Sequence, residues 1–406
     1  MMKRSIFYAL DMLNRRSFLP VLPAMLCYNI AHAQGVVHKT LNGRLPLLIA
    51  HRGASGYLPE HTLAAYALGI DQGADFIEPD LVLSQDGVLH ARHEPLLARV
   101  QLEADGLTIK RSADGKPVLH RTDTSTNVWQ LDKYANRLVI KQLDGKPTAG
   151  WFAEDFTAAE LRADVRAQER LRDFRQANNA FNDRYPIPTL AEVIELAQRR
   201  SRELSRTIGI YPETKHPSYF KGITDAKGLP RMEDLLLTQL HAAYGNNPDA
   251  PVFIQSFEVS NLQYLRSRTK LQLIQLLSAN GKPYDFQIAG DSRGYQDLAR
   301  SAGLDFIKAY ADGIGPHTQL IVPTDGRRLL PPTELIKEAH ARGLQVHGWT
   351  FRAENQFLPS EFARGSSPAA QGDMAAQLRV FVEVGMDGFF TDHPDLGRAA
   401  LKVLTL

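Results

Sequence analysis

Eight short apolar runs recur from residue 45 onward, and helical patterns separate most of them. The runs are LPLLIAH (45–51), ADFIEPD (74–80), TIGIYPE (207–213), APVFIQSF (250–257), LQLIQLL (271–277), LDFIKAY (304–310), LQVHGWTF (344–351) and DGFFTD (387–392). Residues 62–73, 190–200, 332–342 and 374–384 carry helical spacing and end near a glycine or a charged turn. Strands joined by helices must lie parallel, because only a long crossover returns the chain to the same end of a sheet. Eight such units predict an α/β fold, a (β/α)8 TIM barrel, over residues 46–400. A length of 406 residues with 44% hydrophobic content is enough for one such domain.

A barrel of this kind keeps its chemistry at the C-terminal ends of the strands. His51, Glu78, Glu213 and Trp349 all fall at or near such ends. The second strand predicts a hairpin: 77–85 and 88–94 flank Asp86-Gly87, a two-residue turn signal. Opposed numbers would then sum to 173, placing Asp80 across from His93. Alternation would put Glu78, Asp80 and His93 on one face and His90 on the other. Two stretches interrupt the barrel pattern. One is an insertion after this hairpin, about 94–185, rich in charges and turns. The other is the polar loop 358–371. Both follow active-end strands, so they are expected either to shape the substrate site or to be solvated decoration.

Glu78 and Asp80 crowd two carboxylates onto one surface, which is costly unless a cation lies between them. Calcium or magnesium takes oxygen ligands of this sort, Glu213 offers a third, and no His/Cys cluster suited to zinc accompanies them. His51 and His93 supply the proton transfers that a phosphodiester needs, and Arg52 and Lys215 supply positive charge for its oxygens. Gln255, Phe257 and Trp349 stand near strand ends, where the two aromatics suit the carbon face of a small polyol or plain packing equally well. The turn at 310–315 is glycine-rich but lacks a phosphate-binding fingerprint.

Taken together, His51-Arg52-Gly53, Pro59-Glu60-His61-Thr62, Glu78-Pro79-Asp80, His93, Glu213-Thr214-Lys215 and Thr391-Asp392-His393-Pro394 resemble the glycerophosphodiester phosphodiesterase family, most closely its exported bacterial branch. The resemblance runs from about residue 46 to 395, broken by the insertion. It implies a (β/α)8 barrel, a divalent cation (calcium in the exported branch, with magnesium as the alternative) and hydrolysis of glycerophosphodiesters to sn-glycerol 3-phosphate and an alcohol. It also implies His51 and His93 as the acid/base pair, Glu78, Asp80 and Glu213 as metal ligands, and Arg52 and Lys215 as phosphate contacts. Phe257 and Trp349 would face glycerol, and Glu60 would support either the metal or the substrate. The chain departs from the usual family pattern at His61, where asparagine is common, and at Glu94, where aspartate commonly follows the second histidine.

The remaining features concern location and rivals. Residues 1–33 read as a twin-arginine-like signal peptide, with Arg15-Arg16-Ser17-Phe18-Leu19, an apolar stretch, and Ala31-His32-Ala33 as the cleavage site. The expectation is a periplasmic or secreted protein with no integral membrane segment in the mature chain. The sole cysteine, Cys27, lies in that segment, so no disulfide is expected. The net charge of +2 includes a local +3 from Lys3, Arg4, Arg15 and Arg16 against Asp11, which leaves about −1 for the rest and argues against a nucleic-acid partner. A small-molecule diester is the expected partner. Two rivals stand beside this reading: a lipid-directed, lysophospholipase D-like phosphodiesterase on the same barrel, and a non-catalytic binding protein.

Overall fold

The computed structural model describes residues 38–403; the export segment expected at 1–33 lies outside them. We number the barrel strands β1 (Leu47–His51), β2 (Phe76–Glu78, resumed after Pro79 by Asp80–Leu83), β3 (Gly209–Ile210, resumed by Glu213–Thr214), β4 (Phe253–Ser256), β5 (Gln272–Leu277), β6 (Gly313–Pro316), β7 (Gln345–Phe351) and β8 (Gly388–Thr391). Neighbouring strands are parallel and every position has two partners. β1 lies between β8 and β2, and both halves of β3 pair with β2 while its second half also pairs with β4. The sheet therefore closes, with helices such as Leu63–Asp71, Leu190–Leu204 and Met374–Glu383 outside it. Among the described residues no helix is long and apolar enough to cross a membrane.

Side-chain alternation explains how this barrel presents a site. Ile49, Phe76, Tyr211, Phe253, Ile274 and Phe390 form one buried cluster, with Tyr211 stacked on Phe253 at 5.0 Å and bonded through its hydroxyl to His347 Nδ1 at 2.8 Å. Two residues further along each strand the side chain returns to the same face. Ile49 is thus followed by His51, Phe76 by Glu78, Tyr211 by Glu213, Phe253 by Gln255, His347 by Trp349 and Phe390 by Asp392. The apolar layer plugs the barrel, and the next layer carries the ionisable His51, Glu78, Glu213 and Asp392 beside Gln255 and Trp349.

Two expectations require correction. Residues 304–310 are not the sixth strand: Ser301–Lys308 is a helix that buries Leu304 and Ile307, and the strand is Gly313–Pro316. A short apolar run fits either period, and the true strand holds one apolar side chain between two glycines. A Cβ on Gly313 would sit 2.7 Å from the Gln345 carbonyl oxygen, so the neighbouring strand demands the glycine. The hairpin register is also shifted by one. Leu81 faces Ala91 and Val82 faces His90, because Ser84 N donates to the Val88 carbonyl and residues 85–87 form a three-residue loop closed by Gly87 at φ +79°. Asp80 therefore lies across from Arg92, whose N–H donates to the Asp80 carbonyl at 2.8 Å, and His93 reaches the site because the strand stops at Ala91 and the chain bends away.

The insertion begins and ends at one place. His90 bridges to Thr189, and Ala91 N donates to the Pro188 carbonyl. It carries a four-stranded antiparallel sheet in the order Leu119–Thr124, Leu96–Val100, Lys146–Phe152 and Val139–Leu143. A Thr189–Glu192 capping box then starts the helix Leu190–Leu204 and returns the chain to the barrel.

Candidate active site

A cavity of about 460 Å³ opens at the C-terminal end of the strands, with His51, Arg52, Glu78, His93, Glu213 and Lys215 on its walls. Gln255, Phe257, Trp349 and Arg352 also line it. Oxygen atoms of Glu78, Asp80 and Glu213 all lie within 4.8 Å of one another and are buried. Burial, and then the charge of Asp80, raises the Glu78 carboxyl well above its usual range. Burial raises Glu213 as well, although Lys215 Nζ sits 2.8 Å from its Oε1. Burial would raise Asp80 too, but Lys215, His61 and Arg52 outweigh it and hold that carboxyl low. Three clustered carboxyls that resist ionising together are an arrangement that a divalent cation relieves.

The donor set fits such an ion. All three side chains offer hard oxygens, and Asp80 Oδ1 and Gln255 Oε1 are buried without a hydrogen-bond partner. Arg52 N holds Glu78 Oε2 at 2.8 Å and Gln255 Nε2 reaches Oε1 at 3.2 Å, while His61 Nε2 meets Asp80 Oδ2 at 2.9 Å. These contacts orient the carboxylates and leave Asp80 Oδ1 without a hydrogen bond, 4.0 Å from Lys215 Nζ.

The two histidines are mounted alike. His51 Nδ1 lies 2.6 Å from Asp392 Oδ1, and His93 Nδ1 lies 2.9 Å from Glu94 Oε1. Ionised carboxylates only accept, so both rings donate from Nδ1 and keep Nε2 for whatever enters the cavity. Asp392 is ionised because Arg352 and Arg175, at 2.7 Å and 2.6 Å from its Oδ2, overcome the effect of burial. Burial, then the charge of Arg52, pushes His51 down to about 4 in spite of Asp392. Burial and the cations Arg52 and Lys215 likewise push His93 down. Both rings rest neutral near pH 7.

Arg52 adopts φ +61° and points its guanidinium between Glu60 (2.9 Å) and Asp80 (3.3 Å). Glu60 is absent from the cavity wall: it stands behind Arg52 and also accepts from Arg170 Nε at 3.0 Å. Phe257 and Trp349 meet edge to face at 5.7 Å, Lys215 Nζ lies 5.7 Å over the Phe257 ring, and Trp349 Nε1 donates to the Gly315 carbonyl. Three contributors escaped the sequence reading: Arg352, Arg170 and Arg175. The two last come from the insertion. Arg175 is 3% exposed and bonds Glu354 Oε1, the Ser55 carbonyl and Asp392 together. No pattern in the sequence marks it among the chain's many arginines, although Asp392 itself stands in the quoted motif at 391–394.

Comparison with known proteins agrees with this geometry. The model of the "Glycerophosphoryl diester phosphodiesterase family" matches residues 51–396. A glycerophosphodiester phosphodiesterase of Arabidopsis thaliana is 33% identical over 372 residues, covering 89% of this chain and 87% of the plant protein. One from Haemophilus influenzae is 27% identical, covering 88% and 90%. A crystal structure from Silicibacter pomeroyi DSS-3, assigned as a glycerophosphoryl diester phosphodiesterase, superposes with a TM-score of 0.57 at 19% identity over 91% of this chain and 99% of its own. That likeness shows the barrel fold.

Proposed function

The chain belongs to the glycerophosphoryl diester phosphodiesterase family of enzymes, and from that premise we propose that it hydrolyses glycerophosphodiesters to sn-glycerol 3-phosphate and an alcohol. The observation that carries the reading is the cavity wall itself: three buried carboxylates beside two histidines, each fixed at Nδ1 by its own carboxylate. Glu78, Asp80 and Glu213 would hold a divalent cation; their all-oxygen set suits calcium or magnesium, and calcium is our assignment on the resemblance to the exported branch of the family. When bound, that ion neutralises phosphate charge and stabilises the pentacoordinate arrangement.

The remaining work falls to the chain's own side chains. Arg52 and Lys215 meet the phosphate oxygens, the first through its planar fork and the second as a point charge. Nε2 of one histidine removes the proton from the attacking hydroxyl; the other ring, which takes up a proton at Nε2 when the diester's negative charge enters beside it, delivers that proton to the leaving alkoxide. One P–O bond forms and one breaks, and the alcohol leaves neutral. That single exchange describes water as the nucleophile; if the substrate's own glycerol hydroxyl attacks, it yields a cyclic phosphate, and a second exchange, in which water adds at phosphorus and one ring P–O bond breaks, releases glycerol 3-phosphate. Phe257 and Trp349 are placed to flank the glycerol carbons. A second reading, a lipid-directed substrate, draws on the apolar part of the wall: Val322, Leu329, Phe357, Leu358 and Pro359. Export to the periplasm or beyond is proposed on the pattern at 15–33 alone.

The test is product analysis on glycerophosphocholine and on lysophosphatidylcholine micelles. Glycerol 3-phosphate should appear from the first, and His51→Ala and His93→Ala should each remove at least about 99% of the rate. Faster turnover of the micellar substrate would favour the lipid-directed reading, and wild-type rates in either variant would remove the acid/base pair.

A further inference from the structure

His93 is backed by more than its neighbouring carboxylate. Glu94 Oε2, the oxygen not facing His93, meets His216 Nε2 at 3.1 Å, and His216 Nδ1 meets Asp144 Oδ2 at 2.7 Å. His216 follows the Glu213-Thr214-Lys215 strand end, and its backbone is left-handed at φ +46°, an uncommon conformation for a residue with a side chain. Such positions persist where the surroundings over-determine them, and they cluster at working sites. Asp144 belongs to the insertion. With Gly145 it makes the turn between the strands Val139–Leu143 and Lys146–Phe152, at φ +47° and +73°. The chain of contacts thus runs from the tip of the insertion, across a barrel loop, to a ring on the cavity wall.

We propose that Asp144 and His216 are positioning residues for His93: the insertion's turn orients His216, which holds Glu94, which fixes the imidazole. This rests on the proposed phosphodiesterase reaction and adds two members to its machinery. The charges are consistent along the chain. Burial would lower His216, but the hydrogen bonds to Asp144 and Glu94 prevail and push it up to about 10, so both ring nitrogens donate. Glu94 is held ionised by His93 and His216 against the effect of burial. The His51 side of the cavity shows the same construction, with Arg175 and Arg352 holding Asp392 where His216 holds Glu94. Each histidine therefore has a carboxylate, and each carboxylate has a cation. The distal side of the chain borders a second cavity of about 370 Å³ lined by Glu94, Asp144 and His216, so these groups are not packed into the core.

Asp144→Asn is the probing substitution, because asparagine tolerates the left-handed turn and removes only the charge and one acceptor. Outer partners of this kind typically contribute 10- to 100-fold, so kcat on glycerophosphocholine should fall about tenfold with KM within twofold, and His216→Gln should do the same. In a His93→Ala background, assayed at high enzyme concentration, Asp144→Asn should have no further effect, since the ring it serves is gone. An unchanged kcat in Asp144→Asn, or the same fold loss in both backgrounds, would overturn the proposal. A wild-type protein that releases no glycerol 3-phosphate would instead overturn the reaction on which it rests.

Discussion

Arg175→Met removes a buried guanidinium while keeping most of its volume, and its cost can be worked from its contacts. Arg175 is 3% exposed and gives hydrogen bonds of 2.6 Å to Glu354 Oε1, 2.6 Å to Asp392 Oδ2 and 2.8 Å to the Ser55 carbonyl. Asp392 would keep Arg352 and His51, but Glu354, whose Oε2 is already unpartnered, would lose its close cation. Breaking a buried pair from one side costs about 3–5 kcal/mol. The described residues number 366 (38–403), and about 2.1 cal/mol/K each gives an unfolding entropy of about 0.8 kcal/mol/K. About 4 kcal/mol then lowers Tm by about 5 °C. Scanning calorimetry of Arg175→Met beside Arg121→Met provides the assay, because Arg121 pairs with Asp173 on the surface at 71% and 58% side-chain exposure. Such exposed pairs contribute about 0–1 kcal/mol, so the control should move by about 1 °C or less. Equal shifts in the two variants would refute the claim that the insertion's arginine braces the His51 side of the cavity.

Other outcomes follow from the same contacts. Gly313→Ala should lower stability by about 1–3 kcal/mol, read in a denaturant melt, because its Cβ would meet the Gln345 carbonyl at 2.7 Å and Ile274 Cδ1 at 2.8 Å; a stable variant would mean that the neighbouring strand gives way. His216 titrates higher folded than its ordinary 6.5, at about 10, so its stabilisation is full below pH 6.5 and is lost as pH rises through about 10. The Tm of the wild type should therefore decline between pH 7 and 10 more steeply than that of His216→Gln, and parallel declines would contradict the pairing. Trp349→Ala should raise KM severalfold with a smaller change in kcat if the ring only seats substrate, and a loss confined to kcat would argue for a different role.

The barrel was legible because most of its strands are short apolar runs followed by helical patterns. The site was legible because alternation places ionisable residues two positions beyond the plug, as with Phe76 and Glu78 or Tyr211 and Glu213. β6 was missed because steric crowding, not hydrophobicity, selects Gly313, while the helix Ser301–Lys308 carries the apolar run. The hairpin slipped by one residue because Gly87 serves a three-residue loop as readily as the two-residue turn its Asp-Gly pair signals. Asp144, Arg170 and Arg175 were illegible for another reason. They act across tertiary contacts from an insertion whose composition reads as surface, and no local pattern tells a buried guanidinium from a solvated one.

The central claim is that Glu78, Asp80 and Glu213 form one cation site on which hydrolysis depends. Calorimetric titration of calcium and of magnesium into EDTA-treated protein, paired with glycerol 3-phosphate release from glycerophosphocholine in the same samples, tests it most directly. One ion per chain, with release abolished by EDTA, restored by calcium, and both binding and release lost in Glu78→Gln, is the predicted result. Undiminished release from the metal-stripped wild type, or calcium binding that Glu78→Gln leaves intact, would contradict it.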